Sequence, residues 1–237
     1  MPKDPKALVE PGSPGAVADF LRQVAATPRR GPAAGRLIFA LDATASREPT
    51  WAQAMAIQSA MFSSTRDLGG LAVQLCYYRG TGEFYASPWC REARELLGVM
   101  TGVRCHAGLT QIGRVLQHAL DETARAQVQA LVFVGDCVEE GPDALAGLAG
   151  NLGLKGLPAF VFQEGAEPQA EQVLRRIARL SGGAWAPFDA ASPQALRDLL
   201  AAVAVYAAGG RRALAALGRR QGGAVLQLSH QLGPGGA

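Results

Sequence analysis

Asp42-Ala-Thr44-Ala-Ser46 follows directly on the apolar run Leu37-Ile-Phe-Ala-Leu41. Its alternating spacing puts one carboxylate and two hydroxyls on the same side of an extended segment. A third hydroxyl is offered by Thr110 in Gly108-Leu-Thr110-Gln-Ile-Gly113. A second carboxylate, Asp136, closes the apolar run Ala130-Leu-Val-Phe-Val-Gly135 at an equivalent strand end. Hard oxygen donors with few charges and room for water suit Mg²⁺, or Mn²⁺ or Ca²⁺, rather than zinc. Taken singly these residues have plainer roles: Thr110 is a good helix N-cap, and Asp42 can start an Asx-turn. Cys90, Cys105 and His106 have no common zinc spacing and read as buried thiols beside a histidine. His118 falls on the polar side of its helix, His230 falls near the carboxyl end, and Trp51 and Trp89 read as packing, with Trp51 close enough in sequence to border the site.

Elements that could position these donors follow from periodicity. Short apolar runs at 36–42, 71–78, 128–134 and 157–162 read as strands buried on both faces. Between them, Leu109, Ile112, Leu116 and Leu120 form one helical face, and Ala170, Val173, Leu174, Ile177 and Ala178 form another. Strands alternating with helices imply parallel crossovers, hence an open α/β sheet of about six strands with helices on both faces. Gly80-Thr-Gly82 predicts a hairpin with one antiparallel edge strand, Ser181-Gly-Gly183 a helix end before a strand at 184–188, and Ser192-Pro193 the start of a last helix reaching about Ala208. In such a sheet ligands bind beyond the carboxyl ends of the strands, where Asp42 and Asp136 both fall.

The order D-x-T-x-S, then Gly108-Leu-Thr110, then an apolar strand ending in Gly135-Asp136, resembles the von Willebrand factor type A (VWA) domain and its metal-ion-dependent adhesion site (MIDAS), in the form found in bacterial intracellular proteins. The resemblance spans about residues 34–208, including Leu180-Ser-Gly-Gly-Ala184. It implies a Rossmann-like fold and a metal-site set of Asp42, Thr44, Ser46, Thr110 and Asp136. It also implies that Thr44 and Ser46 are direct donors, with the carboxylates partly acting through water. Two positions depart from the pattern: Thr44 stands where serine is usual, and Cys137 where glycine is usual.

The expected organisation is an N-terminal helix and linker over 1–33, a VWA-like domain over 34–208, and a basic, mobile tail over 209–237, helical at most to Leu217. The net charge of +3 is uneven: residues 36–210 carry −3, while the first 35 residues and 211–237 are basic. The basic pI therefore reflects the ends and gives little support to nucleic-acid binding. The longest apolar stretch, 199–208, is far short of the roughly 20 residues a membrane span needs. Met-Pro-Lys-Asp-Pro-Lys lacks an export signal's apolar core, so a cytoplasmic protein with reduced cysteines is expected.

The function expected from these residues is non-enzymatic: a Mg²⁺-dependent module docking an Asp or Glu of a partner protein. AAA-type ATPases and stress-response assemblies are the partner class the resemblance suggests. The competing readings are a Mg²⁺-dependent phosphohydrolase on a Rossmann-like sheet and a scaffold with a degenerate site. Against the phosphohydrolase, the position two residues after Asp42 is Thr44 rather than a second Asp, and Lys155 is the only lysine in the body. No Walker loop, G-x-G-x-x-G or Ser/His/Asp arrangement supports nucleotide binding or acyl transfer.

Overall fold

A computed structural model describes residues 35–57, 70–188 and 193–221. The apolar runs become strands β1 (Gly35–Asp42), β2 (Leu71–Arg79), β4 (Ala130–Gly135), β5 (Ala159–Glu164) and β6 (Ala184–Phe188), with β3 (Glu83–Ala86) completing a single sheet in the order β3-β2-β1-β4-β5-β6. All neighbours are parallel except β2 and β3, which pair antiparallel across the Gly80 to Gly82 turn with Arg79 opposite Glu83. The edge hairpin and the mixed Rossmann-like sheet are therefore as the spacing predicts.

The helices are α1 (Glu48–Ile57), entered through a 3-10 turn (Ala45–Arg47), then α2 (Ala93–Thr101), α3 (Ile112–Arg125), α4 (Pro142–Leu154), α5 (Pro168–Ser181) and α6 (Pro193–Gln221). Alternation along the central strands divides the core in two. Leu37, Phe39 and Leu41 pack with α1, α2 and α6, whereas Ile38 and Ala40 pack with α3, α4 and α5. Burial on both faces explains why these strands read as unbroken apolar runs. Each fully buried Leu or Phe contributes roughly 1.5–3 kcal/mol relative to an exposed one.

The helix that opens at Pro193 breaks at Gly210, which leaves helical geometry at φ 70° and ψ −165°, so its end near Ala208 is as expected; a second helical stretch then runs to Gln221, past the expected limit at Leu217. Only glycine enters that region cheaply. Ala213 and Leu217 then pack back on the core, which gives this part of the expected tail a reason to stay helical. The expected N-terminal helix and linker over 1–33, Ser192 and the segment 222–237 lie outside the described residues.

Candidate metal centre

β1 delivers Asp42 to the carboxyl edge of the sheet with 2% of its surface exposed. Its Oδ1 accepts from the Thr44 N–H at 2.7 Å, forming the Asx-type turn that the sequence allows. Its Oδ2 accepts from the Tyr78 hydroxyl at 3.1 Å. Tyr78 is the register partner of Asp42 in β2, so both side chains leave the same face of the sheet. Burial pushes the Asp42 carboxyl above the usual carboxylate range. The hydrogen bonds from Thr44 and Tyr78 oppose that shift, and the negative charge of Asp136 adds to it. The fully buried Tyr78 hydroxyl is itself held far above its ordinary value by burial and by Asp42.

The remaining donors continue from there. Thr44 Oγ1 lies 3.4 Å from Ser46 Oγ, and Ser46 Oγ donates to Asp136 Oδ2 at 3.2 Å. Asp136 follows Gly135, where an added Cβ would come within 2.8 Å of the Phe133 ring, so a side chain there would displace that ring, while Asp42 Cβ would lie at an ordinary 3.7 Å. The other oxygen of Asp136, Oδ1, is buried and has no hydrogen-bond partner among the described residues. A buried acceptor without a partner is costly unless something else satisfies it.

Thr110 is tied differently. The helix N-cap is Gln111, and Thr110 does not cap. Its N–H donates to Glu139 Oε2 at 2.8 Å and its Oγ1 accepts from the Glu139 N–H at 2.9 Å. Glu140 next door takes the free N–H groups of Ile112 and Gly113 at 2.5 and 2.7 Å, which is the capping that Thr110 was expected to supply. Thr110 is thereby fixed to the loop that follows Asp136. The structure thus chains Asp42, Thr44, Ser46 and Asp136 through short contacts and joins Thr110 to them through the 137–140 segment.

Arg47 and Glu164 were not singled out from the sequence. The Arg47 guanidinium is buried between Asp136 Oδ2, at 3.1 Å, and Glu164 Oε2, which also accepts from the Thr50 hydroxyl. Glu164 ends β5 as Asp42 ends β1, although Gln163 stands between it and the apolar run. Among the described residues no three His, Cys, Asp or Glu side chains gather as a metal-binding group. Any cation here would therefore depend on hydroxyls as well as carboxylates. The nearby thiols are poor ligands: burial pushes Cys105 and Cys137 each up to about 12, with Glu48 adding at Cys105 and Asp136 at Cys137. All four cysteines are free; Cys90 is buried as expected and Cys105 only partly. Trp51 lies in the core with its indole N–H on the Met100 carbonyl and does not border the site. His118, expected on the polar face of its helix, is instead half-buried with Nε2 2.9 Å from Gln74 Oε1.

No protein-family model matches the chain, and no curated protein matches it. Solved structures do. A von Willebrand factor type A protein from Catenulispora acidiphila superposes with a TM-score of 0.60 at 18% identity over 75% of this chain and 44% of that one. The chain has the von Willebrand factor type A fold. The VWA domain of SpRpn10 aligns with a TM-score of 0.56 at 14% identity, covering 71% of this chain and 94% of that one. An aerotolerance-related membrane protein from Bacteroides fragilis gives 0.54 at 16% identity, covering 70% and 98%. The chain spans less than half the length of the Catenulispora protein. Among its described residues no helix is long and apolar enough to cross a membrane.

Proposed function

We propose that this VWA domain is a non-enzymatic docking module in which Asp42, Thr44, Ser46, Thr110 and Asp136 hold Mg²⁺ or a similar divalent ion, and through it an Asp or Glu of a partner protein. The observation that carries the reading is the buried, unpartnered Oδ1 of Asp136, whose Oδ2 accepts from a Ser46 hydroxyl that itself lies against Thr44. The donor set suits the ion: neutral hydroxyls leave a hard dication under-neutralised, so that it would supply Lewis acidity toward an incoming carboxylate. The protein's own part is to hold the donors in place. Tyr78 and the Thr44 N–H fix both oxygens of Asp42, and Glu139 fixes the Thr110 loop. A partner of the AAA-type ATPase or stress-response class, and a cytoplasmic setting, belong to the same proposal. The phosphohydrolase reading gains no support, because Asp42 is buried with both oxygens engaged and is poorly placed to attack a phosphoryl group.

Calorimetric titration of Mg²⁺ and Mn²⁺ into the wild type and Asp136→Ala tests this. Saturable binding in the wild type that disappears in the variant is expected. A wild type that takes up neither ion would overturn the reading.

A further inference from the structure

The Arg47 guanidinium has three contacts, and two of them are with residues assigned above to the ion. Its Nη2 lies 3.1 Å from Asp136 Oδ2, and its Nε faces Ser46 Oγ at 3.4 Å. The third contact, through Nη1, is with Glu164 Oε2. The side chain is buried, and a guanidinium does not lose its charge in a protein. Asp42, Asp136 and Glu164 thus bring three carboxylates to neighbouring strand ends against one fixed positive charge.

A guanidinium on one oxygen of a carboxylate withdraws charge from the other. Arg47 Nε also takes one of the two lone pairs of Ser46 Oγ, so a cation at this oxygen competes with it. Glu164 stands outside the proposed donor set, is held by the Thr50 hydroxyl, and already grips Arg47 through a separate nitrogen. It can keep the guanidinium when the other two contacts are given up.

We propose that Arg47 is a built-in counter-cation that competes with the divalent ion. With no ion bound it neutralises Asp136 and holds the Ser46 loop against β4; loading the ion releases it from Asp136 and Ser46 onto Glu164. The site would then stay assembled in the absence of metal, bind the ion more weakly than its donors alone allow, and couple occupancy to a side-chain movement beside the docking position. This inference rests on the metal reading above.

The test measures Mn²⁺ affinity by calorimetry, together with thermal midpoints with and without Mn²⁺, for the full chain and its Arg47→Gln and Arg47→Lys variants. Arg47→Gln is expected to bind Mn²⁺ at least ten-fold more tightly than the wild type. Its metal-free midpoint should be lower and its Mn²⁺-induced rise larger. Arg47→Lys, which keeps the charge without the three-way fork, should fall between the two and decides the matter if Arg47→Gln does not fold. Variants that bind Mn²⁺ no more tightly than a wild type whose binding is lost in Asp136→Ala would overturn the role of Arg47 alone. Absence of Mn²⁺ binding in all three proteins would overturn it together with the metal reading.

Discussion

The two edges of this sheet handle buried charge in opposite ways. At the amino edge a single carboxylate, Glu122 near the end of α3, is over-supplied with donors. Its Oε2 accepts from Arg36 at 3.2 Å and from the Trp89 indole at 3.0 Å, and its Oε1 from Arg125 at 2.5 Å, while the Arg36 guanidinium lies 3.9 Å above the Trp89 ring. At the carboxyl edge two carboxylates, Asp136 and Glu164, share one arginine, Arg47, and Asp136 Oδ1 has no hydrogen-bond partner among the described residues. Atoms without partners exist at the amino edge too, Gln129 Nε2 and Thr123 Oγ1, but both belong to neutral groups. Ionic clusters that close on themselves hold a fold together, whereas a cluster left with excess charge of one sign is a place where a counter-charge can bind.

The largest effect that could break this contrast is predicted at the amino edge. Glu122→Gln leaves the half-buried Arg36 guanidinium without its carboxylate, and removing one partner of such a pair should cost about 2–4 kcal/mol. The check is urea unfolding, with a lower midpoint at unchanged slope expected. A shift smaller than about 0.5 kcal/mol, the scale of ordinary surface changes, would mean that the amino edge is not the sealed cluster described here.

At the carboxyl edge the same kind of substitution should have the opposite sign. Asp42→Asn keeps an acceptor for the Thr44 N–H and removes a charge that burial and Asp136 both oppose. A folded-state pKa raised above the unfolded value means that the folded chain holds the extra proton. Wild-type stability should therefore fall as pH rises from the ordinary carboxylate range through the raised value. The Asn variant should lack that fall and, at neutral pH without metal, exceed the wild type by about 1 kcal/mol while losing Mn²⁺ binding. Thermal unfolding between pH 4 and 8 distinguishes the two, and an Asn variant less stable than the wild type throughout would show that the Asp42 charge is already compensated.

How far these edges could be seen in the sequence differs for the same physical reason. Asp42 and Asp136 stand out because each ends an unbroken apolar run, a local pattern. Glu164 also ends a strand, but Gln163 separates it from the apolar run Leu157 to Phe162 and weakens the local signal. The meaning of Arg47 depends on Glu164, 117 residues away, and no local pattern carries that. The helices divide likewise. Helices α3 and α5 show a clear apolar stripe, whereas α1 and α4 are rich in small apolar residues on every side and give little periodic signal. Thr110 looked like a cap because it is a threonine before a helix. The capping carboxylate in fact comes from Glu140, which only the packing of the 137–140 segment brings there. Gly209 and Gly210 read as a terminator and Gly210 does break the helix, whereas the stretch beyond Leu217 begins at Gly218 and carries no local helix signal, the docking of Ala213 and Leu217 before it being tertiary.

The smallest expected effect sharpens the amino edge. His118 sits one helical turn before Glu122, packs at 5.5 Å from the Phe84 ring and contacts Gln74 Oε1. Burial lowers its pKa below the ordinary histidine value and Arg125 adds to the lowering, although Glu122 and Asp121 pull it upward. The folded state therefore prefers the neutral ring, whereas the unfolded chain takes up a proton near pH 6.5. Stability from this group is complete above that value and is lost as pH falls from about 6.5 through the lowered folded value. His118→Gln keeps a donor toward Gln74 and cannot titrate, so its unfolding midpoint should lose less than the wild type's between pH 7 and 5. Parallel profiles for the two proteins would mean that Glu122 offsets the burial of the ring, and that the amino edge extends its neutralising reach a full turn along α3.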